Sequence, residues 1–385
     1  MTYDFDRTCD RKGTRSSKYD TWQAAGKPEG ILPMWLADMD FPSPQCVIDA
    51  LRERIGHGIF GYTFLGGEYR GVIADWMHRR FEWEISPEWI VQTPGVVCAL
   101  SAAVCALTSP GDGVLVQPPV YFPFFSVTQE NGRRIVENQL QNRDGRYTVD
   151  FEDFEKKISE NVKLFILCSP HNPVGRVWEE GELRRMGEIC QKHGVTVLSD
   201  EIHADLVFPG NRHRAFASLG KSFADITVTA TSPSKTFNIA GLQCANIIIS
   251  NPALRSAFKK ELERRGGSGV NLLGHEAMAS AYRGGEKWLE DLIVYLKGNL
   301  DYLRGYLRDN IPDVKLTEPQ GTYLAWLDFS AMGMTDAELD GFLTNKAGVW
   351  LNSGHSFGAG GSGFARMNIA CPRSVLAEGL ERLRR

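Results

Sequence analysis

Residues 162–200 read VKLFILCSPHNPVGRVWEEGELRRMGEICQKHGVTVLSD, and this stretch decides the fold. Val162–Cys168 is an almost unbroken apolar run, as expected of a strand buried on both faces. It stops at Ser169-Pro170-His171-Asn172-Pro173, where the prolines interrupt regular pairing. A charged helical pattern follows, from about residue 179 to residue 193. A second apolar run, 195–198, then leads into Ser199-Asp200-Glu201. Strand, crossover helix and strand together make the unit of a parallel sheet. Outward from this unit, 113–117, 226–230 and 245–249 read as further strands, and 96–107 as a buried helix. Such sheets take ligands beyond the carboxyl ends of their strands, and the unusual polar residues of this chain cluster there.

The pattern changes after a mostly helical region, 251–307, that is interrupted at Gly266-Gly267-Ser268-Gly269. Residues 321–328 and 363–369 alternate like strands, and 338–345 resembles a helix. The predicted class is α/β: a large domain with a mostly parallel central sheet flanked by helices, plus a smaller α+β domain. The expected divisions are an N-terminal segment, 1–48, contributing to the small domain and the site; a large domain, 49–280; and a C-terminal small domain, 281–385.

Composition narrows the function. The chain has 385 residues, 43% of them hydrophobic, and a net charge of -4 from 43 basic and 47 acidic side chains. Apolar residues throughout argue against disorder, and no run approaches the ~20 apolar residues that span a bilayer. The mild acidity argues against nucleic acid as a partner. The polar start MTYDFDRTCD has no apolar signal core, so a cytoplasmic chain with no membrane partner is expected. Eight cysteines without a CxxC pair do not form a disulfide framework in a chain this long.

Chemistry concentrates at three strand ends. Lys235 lies in Thr231-Ser232-Pro233-Ser234-Lys235-Thr236, Asp200 ends one apolar run, and Asn172 follows another. A lysine at a strand end is by itself as readily a solvated one. In this company it can form a Schiff base with an aldehyde cofactor, while a carboxylate keeps a pyridinium nitrogen protonated and an amide bonds a phenolate oxygen. That is the minimum set for pyridoxal phosphate. Gly95 and Val96 open the 96–107 helix, whose free N–H groups would face a phosphate, and Ser232 and Ser234 can add hydroxyl donors. Tyr121, after the 113–117 strand, can stack on the ring or serve as a structural tyrosine.

At these residues the chain resembles fold-type-I pyridoxal-phosphate enzymes of the class I/II aminotransferase superfamily, and within it the MalY/PatB-like cystathionine beta-lyases, or cysteine-S-conjugate beta-lyases. The matching stretches are MWLADMDFPSP at 34–44, GYTFLGG at 61–67, CSPHNPVGRVW at 168–178, LSDEIHADLVFPG at 198–210, SPSKTFNIAGLQ at 232–243 and GFARMNIACPR at 363–373. The resemblance implies that Lys235 binds the cofactor and moves the Cα proton. It implies that Asp200 pairs with the ring nitrogen and that Tyr121 is a catalytic and stacking aromatic. Asn172 and His203 would lie on the ring-oxygen side, and Gly95, Val96, Ser232 and Ser234 at the phosphate. Tyr62 would reach the phosphate of a neighbouring subunit, which implies a homodimer with shared sites. Arg366, in its alternating stretch, matches the substrate-carboxylate clamp, for which a planar guanidinium suits. Asp38 falls on the substrate side, in the N-terminal segment expected to fold across the site and hold there.

One position departs from the wider superfamily: many aminotransferases carry a phosphate-binding arginine eight residues after the lysine, where this chain has Gln243. Asp200, His203 and Asp205 crowd one short segment without an HExxH pattern, so no metal is expected. His171 reads as structural, and Cys168 has no base paired to it by spacing. The implied reaction is α,β-elimination from L-cystathionine or a related L-cysteine S-conjugate, giving a thiol, pyruvate and ammonia. Transamination to a 2-oxo acid uses the same residues and stays open. So does a second role with a regulatory protein partner, as some MalY-like proteins have.

Overall fold

The alternation Leu164-Phe165-Ile166-Leu167 assigns the two faces of the central sheet. Leu164 and Ile166 join a core with Ala99, Leu100 and Ala103 of helix Val96–Leu107 and with Phe258. Phe165 and Leu167 join Phe154, Leu183 and Met186 on the opposite side. Each large apolar side chain buried this way contributes about 1.5–3 kcal/mol. The computed structural model describes residues 3–384 apart from 65, 159, 268 and 270. Leu65 in GYTFLGG and Ser268 in the glycine-rich interruption therefore lie outside the described residues.

The sheet has seven strands in the order Ile90–Thr93, Ala245–Ile248, Thr227–Thr231, Thr196–Asp200, Val162–Cys168, Gly113–Val116, Arg134–Glu137. Only Ala245–Ile248 runs against its neighbours; every other adjacent pair is parallel. The second strand of the deciding unit reaches further than its apolar run, through Asp200. The crossover helix is Glu180–His193, started by a reciprocal cap between Glu179 and Glu182 and ended by Gly194 at φ 67°. That left-handed conformation favours glycine. Glu182 also binds Arg176 at 2.6 Å, tying the helix start back to the loop that carries Asn172.

The smaller sheet is antiparallel, ordered Lys315–Leu316, Leu324–Asp328, Phe364–Asn368, Asn352–Ser353. The strand predicted from 321 begins only at Leu324, because the preceding residues bond to the large sheet's loops instead. Gly321 N–H donates to the Gly175 carbonyl and Thr322 N–H to Leu206, at 3.1 and 2.7 Å. The helix expected at 338–345 is Asp336–Gly341, capped by Thr335, and it continues as a π turn, Phe342–Lys346.

The N-terminal segment is bound into this smaller unit. Leu32–Pro33 pairs in parallel with Val349–Trp350, and Trp35 stacks on Trp350 with ring centroids 4.5 Å apart. Residues 34–42 then pass over the carboxyl ends of the large sheet. The divisions expected after residues 48 and 280 fall within helices Gln45–Gly56 and Leu272–Gly284. Among the described residues no helix is long and apolar enough to cross a membrane.

Candidate active site

Parallel register gathers the site. Cys168 pairs with Asp200, and Asp200 with Ala230, so the loops after three strands leave the sheet at one edge. They deliver Asn172, Asp200 with His203, and Ser234 with Lys235 to one cavity. The start of helix Val96–Leu107 and Tyr121 with Phe122 form another wall. Trp35, Leu36, Ala37, Asn352 and Arg366 close it from the smaller unit.

Burial sets the electrostatics. Asp200 is 3% exposed, and one carboxylate oxygen accepts the Ile202 N–H at 3.2 Å. Desolvation pushes its pKa up to about 7. Lys235 donates from Nζ to the Ala37 carbonyl at 2.6 Å, and its pKa falls to about 8 through burial and then the charge of Arg366. A desolvated amine near neutrality is available as a nucleophile or base. His203 is held neutral, its pKa lowered to about 3 by burial; its Nδ1 is buried without a hydrogen-bond partner among the described residues. Burial raises the Tyr121 hydroxyl to about 12.

Arg366 is also buried, which lowers its pKa to about 10, still cationic at neutral pH. It donates to Asn172 Oδ1 and to the Trp35 carbonyl, each at 3.0 Å, and lies 5.0 Å over the Phe357 ring. Its Nε is buried without a partner among the described residues. An anion in the cavity would complete that donor set.

Other expected residues stand around the cavity. Gly95 caps the helix that Val96 opens. Ser232 accepts the Ser234 N–H at 3.1 Å and donates to the Cys244 carbonyl at 2.7 Å. Asp38 lies beside the cavity, lining a neighbouring one, because Arg11 grips its carboxylate at 2.6 and 3.0 Å. Tyr62 is fully exposed at a separate surface hollow with Asn271 and Leu272, and this chain alone does not bring it to Lys235. Gln243 is exposed in a turn and does not line the cavity. Asp205 points elsewhere, accepting from Thr236 at 2.9 Å with Arg80 at 3.5 Å. His171 is packed edge-on against Trp178 and bonded to the Pro119 carbonyl at 2.9 Å.

Several participants escape a reading by residue type. The carbonyls of Trp35 and Ala37 receive the two cations, and a backbone oxygen leaves no mark in the sequence. Asn352 enters because it pairs in register with Arg366. Tyr323 also donates to the Ala37 carbonyl, at 3.0 Å. The one signal is the 34–44 stretch as a whole, through its likeness and not through any single side chain.

These residues fit pyridoxal phosphate. A buried carboxyl with a raised pKa calls for a hydrogen-bonded cationic partner such as a pyridinium N–H. An amine near neutrality suits an aldehyde, and the first N–H groups of helix Val96–Leu107, with Ser234 beside them, suit a phosphate.

The family model for class I and II aminotransferases matches residues 34–383. Cystathionine beta-lyase PatB of Bacillus subtilis is 48% identical over 99% of this chain and 98% of its own length. Protein MalY of Escherichia coli is 34% identical over 98% of this chain and 97% of its own. The crystal structure of cystalysin from Treponema denticola, which contains a pyridoxal 5'-phosphate cofactor, superposes with a TM-score of 0.97 at 40% identity, covering 100% of this chain and 98% of that one. With its lysine, carboxylate and arginine gathered around one cavity and its likeness running from end to end, this chain belongs to the class I and II aminotransferase family, among the MalY/PatB-like cystathionine beta-lyases.

Proposed function

We propose that the protein is a pyridoxal-phosphate-dependent carbon–sulfur beta-lyase acting by α,β-elimination on L-cystathionine or related L-cysteine S-conjugates. The observation that carries this reading is the convergence of Lys235, Asp200 and Arg366 on one cavity. The names of the relatives support it. When bound, pyridoxal phosphate supplies the electron sink for a substrate carbanion. Gly95, Val96, Ser232 and Ser234 would hold its phosphate, Asp200 its ring nitrogen, and Asn172 and His203 its ring oxygen, with Tyr121 as the aromatic beside the ring.

Arg366 binds the substrate carboxylate through its planar fork. That contact orients the Cα–H bond for Lys235, which removes the proton at Nζ. Asp200 keeps its charge against the ring nitrogen. Loss of the thiolate from Cβ then yields aminoacrylate, which hydrolyses to pyruvate and ammonia. From L-cystathionine the thiol is L-homocysteine.

We also read the assembly as a homodimer in which Tyr62 of each subunit completes the other's phosphate site. The exposed run Ile59, Phe60, Tyr62 and Phe64 supports it, since apolar side chains in series usually await a partner surface.

The test is to give the cofactor-loaded protein L-cystathionine without any keto acid and count pyruvate per site. Many turnovers with matching homocysteine support elimination. One conversion per site, resumed on adding a keto acid, replaces this reading with transamination. Lys235→Ala must be silent in either case.

A further inference from the structure

Residues 34–42 meet both cations of the site through peptide groups. The Trp35 carbonyl accepts from Arg366 at 3.0 Å, and the Ala37 carbonyl accepts from Lys235 at 2.6 Å and from Tyr323 at 3.0 Å. Backbone bonds hold this segment near its two ends: the Met34 N–H donates to the Trp350 carbonyl, the Asn368 N–H to the Met34 carbonyl and the Asp40 N–H to the Ala370 carbonyl, at 2.9, 2.8 and 2.9 Å. Between those points side chains aim the carbonyls.

Asn368 is placed to do so. It is 1% exposed and lies two residues beyond Arg366 on strand Phe364–Asn368. Its Nδ2 donates to the Leu36 and Asp38 carbonyls, each at 2.6 Å, and its Oδ1 accepts the Ala370 N–H at 2.7 Å. The two gripped carbonyls flank Ala37, so the peptide between them is held from both sides. Asn238, three residues after Lys235, secures the next length through the Met39 N–H and carbonyl and the Phe41 carbonyl, at 2.9, 2.9 and 2.8 Å.

We propose that Asn368 is a positioning residue that fixes the Ala37 carbonyl as the acceptor for the Lys235 amine whenever that amine is free of the cofactor, and couples this to the seating of Arg366 through Trp35. The inference rests on the pyridoxal-phosphate reading above. In the step concerned, the Cα–H bond breaks, its electron pair stays on the substrate, and the proton goes to Nζ. The amine becomes an ammonium group, and a carbonyl already in line accepts one of its N–H groups in a charge-assisted bond. Holding that acceptor in place avoids reorganisation during the transfer.

The experiment uses the cofactor-loaded full chain and L-alanine, which has no β leaving group. Exchange of the Cα proton in D2O, followed by NMR, reads Lys235, and the L-alanine dissociation constant reads Arg366. Asn368→Ala should slow exchange per bound cofactor between about tenfold and a hundredfold, the range expected of slight misplacement, and weaken L-alanine binding with it. Asn368→Ser, whose hydroxyl is too short to span both carbonyls, should do the same and is read if the alanine variant does not fold. Unchanged exchange per bound cofactor overturns the proposal, even if the melting temperature falls, because a merely structural role predicts that result. If the parent protein neither binds pyridoxal phosphate nor exchanges L-alanine, the reading of the site itself fails.

Discussion

Cys168 and Asp200 pair in register on adjacent parallel strands, which puts the Asn172 loop and the Asp200 carboxylate at the same sheet edge. Helix Glu180–His193 makes the crossover between them, and its length leaves the register to the apolar alternation of the two strands. A one-residue slip would turn Asp200 to the opposite face. The carboxylate is thus held by the core behind it, and its environment follows from that placement.

That environment gives Asp200 a pH signature. Burial raises its carboxyl from 3.8 to about 7. Without cofactor, the folded state binds this proton more tightly than the unfolded chain between about pH 4 and pH 7. The stabilisation is full below that window and is lost as pH rises through it, by roughly 4 kcal/mol in all. Cofactor-free Asp200→Asn should therefore match the parent's melting temperature near pH 4 and exceed it near pH 8. Thermal melts of both proteins across that range check the sign, and parallel curves would refute it.

Arg366→Lys should keep the charge and lose the fork. With the guanidinium geometry gone, kcat/KM for L-cystathionine should fall about tenfold to a hundredfold, the worth of a charged hydrogen bond. Most of the loss should appear in KM. Steady-state kinetics decide it, and an unchanged KM would remove Arg366 from substrate binding.

The large sheet was legible because its strands are buried on both faces and announce themselves as apolar runs. The side chains that end those runs, Asn172, Asp200 and Lys235, were legible for the same reason: polar groups stand out against such a background. Asp38 was legible only as part of a likeness, since its partner Arg11 lies 27 residues away with nothing in the spacing to join them. The Ala37 carbonyl was invisible, because its role depends on backbone direction and not on residue type. Strand 321–328 was read three residues too long because alternation continues through Thr322 and Tyr323, while the Gly321 and Thr322 N–H groups bond to the Gly175 and Leu206 carbonyls of the large domain's loops.

Gly354 links folding to the site. A Cβ there would collide with the carbonyl oxygens of Gly361 and Phe364, in the turn that sets Phe357 beneath Arg366. Backbone cannot yield as a flexible side chain does, so Gly354→Ala should cost about 1–3 kcal/mol or more. Denaturant melts measure this. Because Phe357 must move with the turn, the variant should also bind L-alanine more weakly, whereas a loss of stability alone would separate the turn from the site.

Shared sites make a prediction that no single-chain arrangement can meet. Lys235 is half-buried in the cavity at the sheet edge, while Tyr62 stands fully exposed and away from it. If each site takes Lys235 from one subunit and Tyr62 from the other, then Lys235→Ala and Tyr62→Ala damage different halves of every site. A mixed dimer contains one site with both substitutions and one with neither. Two nearly inactive proteins, unfolded and refolded together in equal amounts, should then regain up to about a quarter of the parent rate, from random pairing into half hybrids with one intact site each. The control is each variant refolded alone, which should gain nothing. A mixture no more active than the average of its components would mean that Tyr62 serves its own chain or no site at all.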